Sequence, residues 1–209
     1  MGKGVCNEET PHGQPFGPYS HAKQAQEHLA KEFQQQDLDI AILRLANIYG
    51  PGSKLWVDEL CRELKRGTPA LLNGGDFNAS LTHVDNVVEM ILCTAASPHA
   101  YGQIYNIADE EQVSWRTYCT ALAKIIGTSP PRSIPKPITN LVAIICEGLF
   151  RLFQAKRRPP LTREAVNLVG SPLHIPIDKA KREVGYRPIK DYQTSIVEIQ
   201  AYLTATQLP

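Results

Sequence analysis

Apolar positions recur along this chain in two rhythms. Residues 19–36 scatter Ala, Leu and Phe among Gln, Glu and Lys with no internal Gly or Pro. They predict a helix, which Pro18 is suited to open. Residues 39–46 form a short, nearly continuous apolar run, the pattern of a strand buried on both faces in a parallel sheet. Gly50-Pro51-Gly52 closes it. Residues 56–66 return to helical spacing and stop at Gly67. A short strand is expected at 70–72, then a turn at Asn73-Gly74-Gly75. Residues 80–84 alternate as a strand, and Asp85 is expected to cap a helix running to about residue 96.

The second half continues the alternation. Residues 103–107 predict a strand, and Ser114 opens a helix that ends near Gly127. The Pro-rich stretch 130–137 is expected to be a linker. Residues 138–153 form an amphipathic helix with Ile138, Leu141, Val142, Ile145, Leu149 and Leu152 on one stripe. Thr162 and Asp178 each head a short helix, Gly185-Tyr186-Arg187-Pro188 is expected to turn, and a last helix runs from 192 to about 205. Strands alternating with helices argue an α/β fold. No internal repeat is visible.

Composition narrows the function classes. Lys+Arg and Asp+Glu number 22 and 21, so nothing in the balance calls for nucleic acid or an anionic membrane. The run Lys156-Arg157-Arg158 is short, precedes Pro159-Pro160, and reads as a solvated loop. Cys6, Cys61, Cys93, Cys119 and Cys146 are scattered without Cys-x-x-Cys spacing, which suggests buried, reduced thiols in a cytoplasmic protein. No histidine spacing suits a metal, so none is expected. The most apolar stretch, 138–153, falls short of the roughly 20 residues a transmembrane helix needs, and Glu147 and Arg151 interrupt it.

One pair carries chemistry. Tyr19 and Lys23 lie four apart on a predicted helix and so share a face. A phenol is a poor base at neutral pH, and a neighbouring ammonium favours its ionised form. Such a tyrosine can exchange a proton with a substrate hydroxyl while a hydride moves to or from a nicotinamide, and the same lysine can hydrogen-bond the nicotinamide ribose.

Five blocks surround this pair in order. They are Pro18-Tyr19-Ser20-His21-Ala22-Lys23, Leu43-Arg44-Leu45-Ala46-Asn47-Ile48-Tyr49-Gly50-Pro51-Gly52, Thr82-His83-Val84-Asp85-Asn86-Val87-Val88, Gly102-Gln103-Ile104-Tyr105-Asn106-Ile107, and Asp178 through Pro188. At this spacing the chain resembles the extended short-chain dehydrogenase/reductase family, also called the NAD-dependent epimerase/dehydratase family, over nearly its whole length. The resemblance implies an incomplete, C-terminal part of a Rossmann-type parallel sheet with a small mixed α/β substrate lobe. Residues 1–130 would hold the sheet with interleaved lobe segments, and 131–209 mainly the lobe. It makes Tyr19 the catalytic acid/base, with Lys23 its partner, and both would contact the cofactor, NAD or NADP. Backbone near Ala46 and Ile48 would lie against the nicotinamide. Asn47 would face the substrate, a turn-forming Asn at a strand end being the alternative. Asp85 resembles a structural cap. The partner implied is a small-molecule substrate, and a homodimer is left open.

Two departures from the family pattern stand out. No Gly-x-x-Gly-x-x-Gly comes after a first strand. The segment Gly2-Lys3-Gly4-Val5 resembles the stretch directly after the family's catalytic Ser/Thr strand, so about 100 or more preceding residues are expected to be missing. Ala79 stands where relatives acting on nucleotide sugars place a diphosphate-binding Arg. The 138–153 helix with Arg158-Pro159-Pro160-Leu161-Thr162-Arg163 after it is instead similar to 3β-hydroxysteroid and sterol-4α-carboxylate 3-dehydrogenases. The leading expectation is an NAD(P)-dependent oxidoreductase acting on a secondary alcohol or ketone of an apolar, sterol-like substrate. A nucleotide-sugar epimerase or dehydratase, or a truncated binding module without turnover, are the alternatives.

Overall fold

The computed structural model describes residues 4–15, 17–68, 71–153, 159 and 161–207. Gly2, Lys3, Ala70, the run Lys156-Arg157-Arg158 and Pro160 lie outside them. In chain order the elements are β1 (Gly4–Val5), α1 (Pro18–Gln34), β2 (Ile42–Leu45), β3 (Asn47–Tyr49), a π-helical stretch (Lys54–Glu59) running into α2 (Leu60–Lys65), β4 (Leu71–Leu72), β5 (Leu81–His83) and α3 (Val84–Ala95). Next come β6 (Ile104–Ile107), α4 (Trp115–Ile125), β7 (Ser133–Ile134), α5 (Lys136–Leu152), α6 (Arg163–Val169), β8 (Leu173–His174), α7 (Asp178–Glu183) and α8 (Tyr192–Thr206).

The fold is α/β, and its strands pair in parallel: β1 with β8, β2 with β6, β3 with β5, and β4 with β7. One stretch of chain serves two of these pairs. Up to Leu45 it runs beside β6, and the Ala46 amide still reaches the Ile107 carbonyl at 2.9 Å. At Asn47 the amide turns to the Ser80 carbonyl, 2.7 Å away, and the strand continues beside β5. The sheet therefore forks at Ala46.

Two large cores flank the fork. The first gathers Tyr49, Val57, Trp115, Tyr118, Leu122 and Ile199 among others, and in it Tyr49 meets Tyr118 edge to face at 5.7 Å. The second joins Met90, Tyr105, Ile107, Ala180 and Tyr186. A small third core, Leu72, Ala143 and Val166, seats α5 and α6.

Several local expectations change. The run expected to be buried on both faces is half-buried in β2, and Leu45 is exposed. β6 pairs with it on one side only among the described residues, so it is an edge strand. The expected linker at 130–137 contains β7, because Ser133 and Ile134 sit between Pro131 and Pro135 and still have amides to give. α5 begins there too, at Lys136. The helix after β5 starts two residues early, so its cap is His83, whose Nδ1 accepts the Asp85 amide at 3.2 Å. Asp85 sits in the first turn instead. The stretch 185–188 follows α7 with Gly185 in the left-handed region at φ +69°, the Tyr186 amide donating back to the Ala180 carbonyl at 3.3 Å, and Tyr186 fully buried. The apolar stripe of α5 faces outward; Thr139 and Ala143 are its buried residues. Among the thiols only Cys61 and Cys119 are buried, and burial pushes them up to about 11 and about 12. No helix is long and apolar enough to cross a membrane among the described residues.

Candidate active site

Helix α1 forms locally, with Pro18 in its first turn and good helix formers behind it. Tyr19 is 59% exposed on that first turn. One turn on, the Lys23 ammonium lies 5.9 Å from the centre of the Tyr19 ring. A further turn brings Glu27, buried, to Arg44 of β2, whose Nε and Nη2 donate to its two oxygens at 3.0 and 2.7 Å. Arg44 also donates to the Glu8 carbonyl, and the Glu8 carboxylate accepts the Asn106 amide on β6. The Tyr-x-x-x-Lys helix is thus tied to both strands of the β2–β6 pair. Arg44 holds the Glu27 carboxyl well below the usual carboxylate range, against the opposing effect of burial, with Lys31 and His12 adding to the lowering.

The fork supplies the second part. Ala46 and Ile48 are half-buried and pack onto the second core. The Asn47 side chain donates from Nδ2 to the Ala79 carbonyl at 2.7 Å, which fixes it across the gap between β3 and the segment leading into β5. A small pocket opens beside this point, lined by Asn78, Ser80, Leu81, Asp109, His174 and Ile175. It lies just past the end of β6, and ligands of open α/β sheets bind outside the carboxyl ends of strands. β8 connects the pocket to β1, because the Leu173 carbonyl accepts from Asn78 Nδ2 at 3.2 Å and the His174 carbonyl accepts the Cys6 amide at 2.8 Å.

Asp109 is a member of this pocket that the sequence reading missed. Its Oδ1 accepts the His83 amide at 3.0 Å and Asn86 Nδ2 at 2.7 Å, and burial pushes its carboxyl above the usual range. The signal available was a carboxylate set two residues past the end of a buried strand. Ala79 also changes meaning. It is fully buried in the first core, so the residue type there is set by packing and says nothing about a diphosphate.

Among the described residues, His83, Asp85 and Glu198 bring donor atoms within 4.8 Å of one another. The Lys190 ammonium already pairs with both carboxylates, so a cation is in place there. Gly50 makes room for this cluster: a Cβ on it would stand 2.8 Å from His83 Nε2, and its φ of +127° is one that L side chains rarely adopt.

For a dinucleotide, the residues present fit one end. Exposed Tyr19 and Lys23 are the groups that would meet a ribose, and half-buried Ala46 and Ile48 those that would face an apolar ring. The amides of Ala46 and Asn47 are spent on the sheet, so contact there falls to side chains and carbonyls. The sequence contains no glycine loop to hold a pyrophosphate.

The model of the NAD dependent epimerase/dehydratase family matches residues 2–108. The 2-alkyl-3-oxoalkanoate reductase of Stenotrophomonas maltophilia is 27% identical over 202 residues, covering 94% of this chain and 60% of that protein. The decarboxylating sterol-4-alpha-carboxylate 3-dehydrogenase of Schizosaccharomyces pombe is 26% identical over 193 residues, covering 88% and 56%. The UDP-glucuronic acid 4-epimerase of Bacillus cereus, solved in complex with NAD, superposes with a TM-score of 0.70 at 18% identity, over 99% of this chain and 58% of that one. The chain spans a little over half the length of each. With the parallel α/β fold and the Tyr19–Lys23 helix, the match places the chain in the NAD dependent epimerase/dehydratase family.

Proposed function

We propose that the chain carries the proton-transfer and substrate side of an NAD(P)-dependent oxidoreductase acting on a secondary alcohol or ketone of an apolar substrate. The observation that carries this reading is the exposed Tyr19–Lys23 pair, one helical turn apart on a helix tied to β2 and β6. The reductase and dehydrogenase names of two relatives, and the outward apolar face of α5, favour an apolar substrate over a nucleotide sugar.

In the reductive direction Tyr19 Oη gives its proton to the carbonyl oxygen of the substrate, and that oxygen becomes the hydroxyl of the product. The nicotinamide, when bound, supplies the hydride to the carbonyl carbon. Lys23 stabilises the phenolate left on Tyr19 and hydrogen-bonds the ribose. Ala46 and Ile48 form the apolar wall that keeps water from the reacting carbon. Asn47, held by Ala79, takes the substrate-facing position.

The test joins a family nucleotide-binding half ahead of residue 1 and compares kcat/KM across panels of sterols, alkyl ketones and nucleotide sugars. Tyr19→Phe should lower kcat by about 100-fold or more with the fold intact. Retention of more than about a tenth of kcat would remove Tyr19 as the acid/base. A clear preference for a nucleotide sugar would overturn the substrate class and leave the role of Tyr19 standing.

A further inference from the structure

We propose that Glu164, on the lobe helix α6, is a positioning residue that holds the first turn of α1 and thereby the placement of Tyr19 and Lys23. This rests on the reading of that pair as the reacting one.

The first amides of a helix cannot reach carbonyls of their own helix. A capping box meets two of them reciprocally: the N-cap side chain accepts the third amide, and the third side chain reaches back to the N-cap amide. α1 has half of this device. Ser20 Oγ accepts the Gly17 amide at 3.1 Å and donates to the Gly17 carbonyl at 3.0 Å. The N-cap residue is Gly17, which has no side chain to offer the Ser20 amide in return. The Ser20 amide donates instead to Glu164 Oε1 at 2.8 Å, across a separation of 144 residues.

Gly17 is also shaped for this contact. A Cβ built on it would stand 2.7 Å from Glu164 Oε2 and 2.9 Å from Cδ. Its φ of −169° is ordinary extended backbone, so the close approach of the carboxylate, and not the conformation, calls for glycine. A negative charge at a helix N-terminus is favourable in addition.

Glu164 is itself held. Thr162 Oγ1 caps α6 by accepting the Ala165 amide at 3.2 Å. Arg163 donates its backbone amide and its Nε to the two oxygens of Glu147 on α5, at 2.8 and 2.9 Å. Helices α5 and α6 therefore present Glu164 as a unit. Tyr19 precedes Ser20 directly, and as an exposed ring it has little packing to fix it. Anchoring the backbone of its turn is the means of placing it, and the anchor comes from the lobe.

The test uses the 209-residue chain and two nuclear magnetic resonance readouts. One is hydrogen exchange at the Ser20 amide. The other is the Overhauser contact between the Tyr19 ring and the Lys23 side chain. Glu164→Ala should speed Ser20 exchange about tenfold or more and weaken the Tyr19–Lys23 contact, as loss of a charged acceptor implies. Glu164→Gln keeps the acceptor and should hold exchange within about threefold of wild type. Gly17→Ala should act like Glu164→Ala, because its methyl displaces the carboxylate, and it needs no loss of the lobe residue. Adding Gly17→Ala to Glu164→Ala should change nothing further. Unchanged Ser20 exchange in Glu164→Ala would overturn the contact, and faster exchange with an unaltered Tyr19–Lys23 contact would reduce it to a stabilising tie. Neither readout depends on turnover. If Tyr19→Phe retained activity, the functional reading would fall while these results stood.

Discussion

Glu27 gathers three partners around one carboxylate: the Arg44 guanidinium foremost, then the Lys31 ammonium at 2.9 Å and the His12 ring at 3.0 Å. Its carboxyl is held well below the usual range in the folded chain. A depressed carboxyl contributes stability that is complete above the unfolded value of about 4.3 and is lost as pH falls below it toward the folded value. Glu27→Gln should therefore cost about 2–3 kcal/mol at pH 7, less than the roughly 3–5 of a fully buried pair because Arg44 keeps some exposure. The gap to wild type should close as pH falls from about 4 to 2. Urea titrations at pH 7, 5, 4 and 3 measure it, and a gap that stays constant would assign the loss to shape instead of charge. The sequence could show Tyr19 and Lys23 because their relation is local, four positions on one helix. It could not show Glu27 with Arg44, or Asn86 accepting the amides of Ile189 and Lys190, because those partners meet only after the chain has folded.

Helix ends were more legible than strand ends. Ser114 caps α4 through the Thr117 amide at 3.1 Å and Thr162 caps α6 through the Ala165 amide at 3.2 Å. Each oxygen lies close in sequence to its amide, so residue type alone carries the signal. Ser114→Ala should cost about 1 kcal/mol, a fall in Tm of about 2–4 °C for a chain of this size. An unchanged melting curve would mean that tertiary packing holds the start of α4 without its cap. The His83 cap broke the pattern because an imidazole nitrogen fills the place of the usual oxygen. The side on which α5 packs was hidden for a different reason. Counting apolar residues finds its stripe, but the buried contacts are made by Thr139 and Ala143, small residues that bring helices close and carry no hydrophobic signal. β7 and β8 are two residues each, too short for any alternation to register.

At the scale of the molecule, the alternation of elements was enough for the α/β class and for parallel pairing, while the fork at Ala46 was not foreseeable from a run of apolar residues. Cofactor affinity belongs to this scale as well. The sequence holds no glycine loop for the phosphates of a dinucleotide. The 209-residue chain alone should bind NAD(H) and NADP(H) with a Kd weaker than about micromolar by titration calorimetry, and tighter binding would reveal a phosphate site built from other residues. The strand pairs have a consequence for how the chain comes together. Gly4 pairs with Leu173, Ile42 with Ile104, Asn47 with Leu81, and Leu71 with Ser133. No hairpin joins any of them, so each ladder closes a long loop before it gains a hydrogen bond, and such high contact order slows folding. During synthesis β1 emerges long before β8 and has to wait for it. In that interval the apolar edges of the early strands are open to other chains, and it is there that this sequence is most exposed to aggregation.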